Sequence, residues 1–362
     1  MPKRELFPDV DALRRCLLAL LLLLLAAAPA KAQSRKRMVL IDQDGAGPAD
    51  SNQMSMMALL RSPEAEVLGI TIVTGDGWRD EEVLHTLRML EIIGRTDVPV
   101  VPGANGPLVR TQSETRLAMQ TAGVAGWLGA WGTDGAAKPS ATPTLPEGMP
   151  RTKPLDEDAP HFLIRQIRAH PRQVTIYAAG PLTNIALALS IDPAIAEMTR
   201  GIVIMGSSLN PQTDDPEFAT SPRHEFNFWF DPEAARIVLR GSWPRVDVTT
   251  VDVSIKARFT DAMYAEISKS SGVAATYIAT YAKDRSYLWD ELTACAWLDP
   301  TIIAKRVDVY MDVDLSHGPS YGDTLTWTEK DKPSTGVRLV HAQLDVDLPR
   351  FSRMFVNLMS GR

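Results

Sequence analysis

Four side chains with oxygen ligands stand close together near the start of the chain, directly after a short apolar segment. Asp42, Asp44 and Asp50 are carboxylates, and Asn52 supplies an amide oxygen. Several oxygen donors on a glycine-containing loop suit a hard cation, chiefly Ca²⁺. The same residue types also cap helices and accept hydrogen bonds from loop amides, so the spacing alone leaves both interpretations open.

The elements that must position these residues follow a regular order. An apolar run at residues 38–41 predicts a buried strand, and residues 51–61 predict a helix capped by Asp50 or Ser51. Further strands are predicted at 67–73, 98–101, 174–178 and 201–205, and further helices at 80–93, 159–170, 183–190 and 232–239. This alternation is typical of an α/β fold with a doubly wound, mostly parallel open sheet of the Rossmann-like kind.

The C-terminal part has a different pattern. Residues 307–313, 324–327 and 337–346 alternate as antiparallel strands do, and residues 348–359 predict a helix. The sheet is therefore expected to carry an antiparallel C-terminal edge. Ligands of open α/β sheets bind beyond the carboxyl ends of the strands, which is where Asp42 and Asp44 lie.

The composition is that of a globular protein, with 362 residues of which 45% are hydrophobic and 23% charged. A formal net charge of −6 argues against binding to nucleic acid, which calls for a basic surface. The six histidines lack the spacing of zinc ligands. The proline-rich residues 132–154 predict a surface insertion, with a domain linker as the alternative. Strands and helices alternate in the same way beyond this stretch, so residues 33–362 are expected to form one domain.

The first 32 residues have the layout of a secretory signal. Basic residues precede an apolar run at 16–30, and Ala30-Lys31-Ala32 is a small-x-small cleavage site. The run is shorter than the roughly 20 residues of a spanning helix, although an uncleaved membrane anchor is the alternative. We expect an exported protein, periplasmic or secreted, without membrane association after cleavage. Cys295 is then the one remaining cysteine, so no intrachain disulfide is expected.

Beyond these patterns, the loop that begins at Asp42 resembles the signature D-x-D-P-G-x-D-D of the inosine-uridine preferring nucleoside hydrolase family. Six further blocks follow in the order of that family: VLGITIVTG at 67–75, PVVPGA at 99–104, AGPLTN at 179–184, IVIMG at 202–206, EFNFWFDPEAA at 225–235 and WD at 289–290. The resemblance implies the nucleoside-hydrolase type of the α/β fold. It also implies an enzyme that hydrolyses the N-glycosidic bond of ribonucleosides.

The resemblance further implies one Ca²⁺ at the bottom of a pocket, where it holds the ribose hydroxyls and a water molecule. Asp44 would be both a metal ligand and the general base that takes the proton of this water. Asp290 and the main-chain carbonyl of Ala179 would be further ligands. Asp42 corresponds to the first aspartate of the signature and would brace the substrate-binding site.

The loop after Asp44 is longer than the family signature. Counting back from Pro63 across an ungapped helix puts Ser51 and Asn52 at the positions of the paired acids. Asn52 would then bind Ca²⁺ through its amide oxygen, and Ser51 would belong to the substrate-binding residues. One negative charge is lost, so weaker calcium binding is expected unless Asp50 enters the metal site in compensation.

The residues expected around the sugar also depart from the family in places. Glu225 and Asn227 match its ribose-binding residues. Asp76 stands where the family usually has asparagine, and it is expected to face the pocket. Ala219 lies near the position of a further ribose-binding asparagine, which this chain has lost. The sugar pocket is therefore expected to differ in part from that of the family.

A tryptophan occupies the position expected beside the leaving base in this chain. Many members of the family have a histidine directly before the C-terminal aspartate ligand, and here Trp289 takes that place. Tryptophan cannot act as an acid, but it stacks on a heteroaromatic base. This resembles the purine-preferring branch of the family, in which solvent protonates a base held between aromatic rings. Trp127 or Trp131 would supply the opposite face, with a place in the core as the alternative for both.

The leading hypothesis is therefore a calcium-dependent hydrolase of purine-type ribonucleosides that releases free base and ribose. Three alternatives remain: a hydrolase of another N-glycoside, a non-catalytic relative that binds nucleosides or sugars, and a periplasmic ligand-binding protein. The last would show two similar lobes. The partner expected is a small nucleoside, and family members are often dimers or tetramers, so a homo-oligomer is possible.

Overall fold

The computed structural model describes residues 36–123, 126–132, 143–282 and 286–361. The signal sequence predicted at 1–32 lies outside these residues. The strands are β1 (Arg37–Gln43), β2 (Ala65–Ile72), β3 (Val100–Pro102), β4 (Val174–Ala179), β5 (Gly201–Met205), β6 (Val246–Thr249), β7 (Ile303–Val313), β8 (Thr324–Trp327) and β9 (Arg338–Val346).

All of these strands join one sheet in the order β3-β2-β1-β4-β5-β6-β9-β7-β8. Neighbours from β3 to β9 pair in parallel, whereas β7 pairs in the antiparallel sense with both β9 and β8. The predicted α/β fold, with a mostly parallel sheet and an antiparallel C-terminal edge, is confirmed.

The helices are α1 (Ser51–Arg61), α2 (Arg79–Ile93), α3 (Gln112–Ala122), α4 (Ala159–Ala169), α5 (Thr183–Ile191), α6 (Ile195–Met198), α7 (Pro216–Thr220), α8 (Phe226–Phe230), α9 (Pro232–Leu239), α10 (Val251–Ser254), α11 (Asp261–Ser268), α12 (Val273–Tyr281), α13 (Trp289–Leu298) and α14 (Leu348–Ser360). Two 3₁₀ turns lie at Gly129–Trp131 and Pro300–Ile302. None of the helices in the described ranges is both long enough and apolar enough to cross a membrane.

Two hydrophobic cores cover the two faces of the sheet. Along β1, Val39 and Ile41 belong to one core with residues of α1, α13 and α14, whereas Leu40 belongs to the other with residues of α4 and α5. Successive side chains of a strand point to opposite faces, so a strand buried on both sides must be apolar throughout. This explains why the central strands read as continuous apolar runs.

The first strand and the helix after it set the position of the acidic loop. Asp50 caps α1, because its Oδ1 accepts a hydrogen bond from the main-chain N–H of Gln53 at 3.1 Å. Strand β1 continues through Gln43, two residues beyond its predicted end, because it pairs with both β2 and β4. Residues 143–154 of the predicted insertion contain neither helix nor strand, and residues 133–142 lie outside the described ranges.

Candidate active site

A cleft of about 510 Å³ opens at the carboxyl ends of the parallel strands. Ala179 and Met205, the last residues of β4 and β5, form part of its floor. Seven carboxylates line it: Asp44, Asp50, Asp76, Asp215, Glu217, Glu225 and Asp290. The described lining contains no lysine, arginine or histidine. The described part of the lining is therefore a concentrated region of negative charge.

Asp44 lies at the base of this cleft and is 1% exposed. Its Oδ1 accepts a hydrogen bond from Nδ2 of Asn52 at 2.8 Å, and its Oδ2 accepts one from the main-chain N–H of Asp76 at 2.9 Å. Burial raises the pKa of Asp44 well above its ordinary value, and the charges of Asp76, Glu82 and Asp290 raise it further. A positive charge in the cleft would favour the ionised form of Asp44.

Asp290 approaches the same region from the first turn of α13. The side-chain amide of Gln43 donates to its Oδ2 at 2.9 Å, and the hydroxyl of Tyr177 donates to its main-chain oxygen at 2.9 Å. The side-chain oxygen of Gln43 accepts from the main-chain N–H of Asp44 at 3.0 Å. Gln43 therefore joins the two aspartates, although sequence reasoning did not select it.

Asp42 does not line the cleft, which corrects its assignment to the substrate-binding residues. Its Oδ1 accepts from Thr71 at 2.5 Å and from Asn184 at 2.8 Å, and burial raises its pKa to about 7. The side-chain oxygen of Asn184 in turn accepts from the main-chain N–H of Ala104. Neighbouring strand residues point to opposite faces, so Asp42 joins β1 to β2 and α5 behind the site, whereas Gln43 reaches Asp44 and Asp290.

The three residues at the start of α1 all line the cleft. Asp50 uses one oxygen to cap the helix, and Ser51 donates to the buried Glu291 at 2.6 Å. Asn52 donates to the main-chain oxygen of Asp44 at 2.7 Å as well as to its carboxylate, so its amide group lies beside the general base predicted from sequence. The structure thus brings together both candidates for the extra metal ligand, Asp50 and Asn52.

The predicted ribose-binding residues stand on the opposite wall. Glu225 caps the short helix α8 and accepts hydrogen bonds from the main-chain N–H groups of Ser207, Asn227 and Phe228 at 2.8–3.0 Å. The side-chain amide of Asn227 donates to the main-chain oxygen of Met205 at 3.2 Å. Both side chains face the cleft, whereas Ala219, on α7, is exposed and is not part of the lining.

The protonation of Glu225 predicts a pH-dependent stability. Burial raises its pKa from 4.5 to about 7, so between these values the folded protein retains a proton that the unfolded chain releases. The free energy of unfolding therefore falls as pH rises through this window, by up to about 3 kcal/mol from this group. In metal-free protein, the free energy of unfolding measured in urea should fall less between pH 5 and pH 8 in Glu225→Gln than in wild type. An equal fall in both would contradict this assignment.

Aromatic side chains line the outer part of the cleft. Trp289 packs against Tyr287, with ring centroids 4.7 Å apart, and meets the edge of Phe218 at 5.7 Å. Trp127 is 57% exposed, lines the cleft and donates from Nε1 to Asp76 at 2.6 Å. Trp131 does not line it: the ring is 7% exposed and packs on Phe230 at 4.5 Å, which corrects its assignment to the substrate-binding residues.

The residues Asp215 and Glu217, at the start of α7, were not selected from sequence. The hydroxyl of Tyr287 donates to Asp215 at 2.9 Å, and the main-chain N–H of Trp127 donates to Glu217 at 3.2 Å. This segment therefore joins two sides of the cleft. The pattern Asp215-Pro216-Glu217 is a signal for the start of a helix and gave no indication of these contacts.

The described lining of the cleft offers oxygen donors to a cation. Every charged group of the lining is a carboxylate, which suits a hard cation such as Ca²⁺. Within the described residues, no three His, Cys, Asp or Glu side chains converge closely enough to hold a metal ion by themselves. A complete ligand set would therefore include neutral oxygens, and the amide of Asn52 and the carbonyl of Ala179 border the same cleft. The residue types present are those that bind a hard cation.

Comparison with known proteins agrees with this arrangement. The family model for inosine-uridine preferring nucleoside hydrolases matches residues 39–353. The pyrimidine-specific ribonucleoside hydrolase RihA of Salmonella schwarzengrund is 30% identical over 340 residues, which cover 90% of this chain and 97% of that protein. The probable uridine nucleosidase 2 of Arabidopsis thaliana is 31% identical over 203 residues, and the match covers 56% of each chain.

A solved structure also has the same fold as this chain. The plant nucleoside hydrolase PpNRh1 superimposes with a TM-score of 0.69 at 25% identity, covering 90% of this chain and 99% of that chain. The family match spans most of the chain and includes the strands and helices that bear Asp44, Glu225 and Asp290. The chain therefore belongs to the inosine-uridine preferring nucleoside hydrolase family, whose members are N-glycosyl hydrolases.

Proposed function

We propose that this cleft hydrolyses purine-type ribonucleosides with the help of Ca²⁺ and releases free base and ribose. The observation that carries the proposal is the combination of seven carboxylates, no positive side chain in the described lining, and a tryptophan at the outer end. Such a cleft suits a cation and a sugar that becomes positively charged, together with a flat heteroaromatic group.

The metal-binding residues would be Asp44, Asp290, the main-chain carbonyl of Ala179 and the amide oxygen of Asn52, with Asp50 able to contribute a carboxylate. When bound, Ca²⁺ would orient a water molecule and favour its ionisation. Gln43 would hold Asp44 and Asp290 in place, because its side chain is bonded to both residues and is fully buried. The two ligands furthest apart along the chain would therefore keep a fixed separation.

The reaction forms a bond between the oxygen of water and the anomeric carbon, and it breaks the bond from that carbon to the base. Asp44 would accept the proton that water loses. Positive charge develops on the ribose as the base departs, and Glu225 and the other carboxylates of the wall would stabilise it. The base leaves with the bonding electron pair and would take its proton from solvent.

The preference for a purine base rests on Trp289 and its aromatic neighbours. Trp289 borders the cleft with Tyr287 and Phe218, and a bicyclic base offers a larger stacking surface than a pyrimidine does. A pyrimidine nucleoside is the second candidate, because the relatives named above are pyrimidine-specific or uridine nucleosidases. Binding of a purine nucleoside is expected to depend more strongly on Trp289 than binding of a pyrimidine nucleoside does.

Assays of purified protein with inosine and uridine test both candidates. We expect a higher kcat/KM for inosine, and we expect Trp289→Ala to raise its KM about 10- to 100-fold because base stacking is lost. Trp327→Ala, in the edge strand β8 and outside the cleft, is the matched control and should leave KM unchanged. A higher kcat/KM for uridine would favour the pyrimidine assignment. Absence of base release from both substrates would overturn the proposed function.

Export of the protein and its assembly into a homo-oligomer both remain predictions. The leader that predicts export lies in residues 1–32, outside the described ranges. We propose that the mature enzyme acts on nucleosides outside the cytoplasm. Amino-terminal sequencing of the protein recovered from the extracytoplasmic fraction tests cleavage of the signal sequence. A mature chain that begins at Gln33 is expected.

A further inference from the structure

A second cavity, of about 330 Å³, lies at the other end of the central strands. Thr175 and Gly201, near the amino ends of β4 and β5, line it, and Ala296 and Trp297 border it from the end of α13. The active-site cleft begins at the opposite ends of the same strands and of the same helix. The two cavities share no lining residue.

Three arginines and one aspartate give this cavity its charge. Arg245 and Asp247 form an ion pair with distances of 2.5–2.6 Å, so their charges offset each other. Arg37 donates to the main-chain oxygens of Trp297 and Leu298 at 2.7 Å, and it forms an ion pair with Glu64 at 3.2 Å. Carboxylates thus offset the charges of Arg37 and Arg245, and Arg200 is left as the unpaired positive charge of the described lining, in a protein whose net charge is −6.

Arg200 supplies a guanidinium group that is free to bind a ligand. Its side chain is exposed, lines the cavity and forms no hydrogen bond or ion pair within the described part of the chain. Arg37 is fixed beside it in the lining, because its guanidinium lies 4.5 Å from the ring centroid of Trp297 as well as on two carbonyls. One guanidinium without a partner in the described ranges and one held by several contacts thus border the same space.

Neutral donors complete the lining. The side-chain oxygen of Gln343 accepts from Thr249 at 2.9 Å, which leaves its amide nitrogen for another partner. The hydroxyl of Thr175 is likewise without a hydrogen bond among the described residues, and it borders the cavity. The sole carboxylate of the lining is already paired, so donors exceed free acceptors. This balance favours an anion.

We propose that the cavity binds the phosphate group of a small molecule, either inorganic phosphate or a phosphorylated pentose. Guanidinium groups match the tetrahedral oxygens of phosphate and form charge-assisted hydrogen bonds with them. The volume lies at the lower end of the roughly 300–1,000 Å³ typical of small-molecule sites, so it suits a ligand no larger than a sugar phosphate. The site is separate from the cleft of the proposed hydrolase and does not depend on it.

Isothermal titration calorimetry of the purified full-length protein tests this proposal. Inorganic phosphate and ribose 5-phosphate are titrated separately, in chelator and at low ionic strength, so that no calcium in the cleft attracts them. Saturable binding of either ligand is expected, and Arg200→Ala should weaken it about tenfold because a charge-assisted hydrogen bond is lost. Tighter binding of ribose 5-phosphate would identify a sugar phosphate as the ligand, and equal binding would identify free phosphate.

Arg353→Ala is the matched control, since Arg353 is an exposed arginine of α14 outside the cavity. It should bind both ligands as wild type does. Arg200→Ala should also keep the wild-type rate of nucleoside hydrolysis, so failure of this proposal is distinguishable from failure of the proposed function. No binding of either ligand to wild type at about 10 mM would overturn the proposal. Equal weakening in both variants would overturn it as well.

Discussion

Asp44→Asn is expected to lower kcat for nucleoside hydrolysis by at least about 10³-fold. Asparagine has the size of aspartate and can still accept the hydrogen bond from the main-chain N–H of Asp76. Its amide cannot take a proton from water, however, and it removes one negative charge from the proposed metal site. The measurement is steady-state release of base from a saturating nucleoside, with calcium in excess.

Loss of activity in this variant would reflect chemistry rather than unfolding. The pKa of Asp44 is raised by burial and by neighbouring carboxylates, so removal of its charge relieves repulsion in the metal-free protein. The melting temperature of metal-free Asp44→Asn should therefore be no lower than that of wild type. Asp156→Asn, an exposed aspartate outside the cleft, is the control. A kcat within about tenfold of wild type would contradict the role of Asp44 as general base.

Removal of calcium is expected to abolish hydrolysis and to lower the melting temperature. Without a cation the seven carboxylates of the cleft repel one another, whereas an ion that binds only the folded state stabilises it by about 2.7 kcal/mol at 100 times its Kd. Dialysis against a calcium chelator, followed by activity assays and differential scanning calorimetry, measures both effects. Return of calcium should restore both. Magnesium should restore less, because it requires a smaller octahedral site.

Asp290→Asn distinguishes loss of the ion from an effect of the chelator itself. This variant lacks one proposed ligand but retains a side-chain oxygen that accepts from Gln43. Its melting temperature should change much less than that of wild type when calcium is removed. Full activity of wild type in chelator, with no metal found by elemental analysis, would contradict a metal-dependent mechanism.

The sequence predicted much of the fold because its strands are buried on both faces. Strands β5 and β8 and helix α9 have the predicted bounds, and β1 and β2 differ from them by one or two residues. The apolar runs of β1, β2 and β5 leave no other place for these three strands than the centre of a covered sheet. Helices α11 and α12 were not predicted, since their apolar and polar residues do not separate into a clear stripe.

Sheet topology also explains why part of the candidate active site was predicted. Asp44 directly follows β1, and the carboxyl ends of parallel strands meet at one edge of a sheet, so its place in the cleft follows from topology. Glu225 instead caps α8, and the resemblance to the family selected it. The role of Gln43 depends on Asp290, 247 residues later, and no local pattern encodes that contact. Asp42 was expected to brace the substrate site, and Trp131 to lie either beside the base or in the core, because residue type alone does not show which way a side chain points.

The hydrogen bond between Gln43 and Asp290 joins the first strand to a helix that begins at Trp289. During translation, therefore, the ribosome must release more than three quarters of the polypeptide before this pair can meet. A nascent chain that has already formed its first strands has no complete catalytic machinery. Products that terminate before Trp289 would therefore lack Asp290, one of the proposed metal ligands, and the tryptophan proposed to stack on the base.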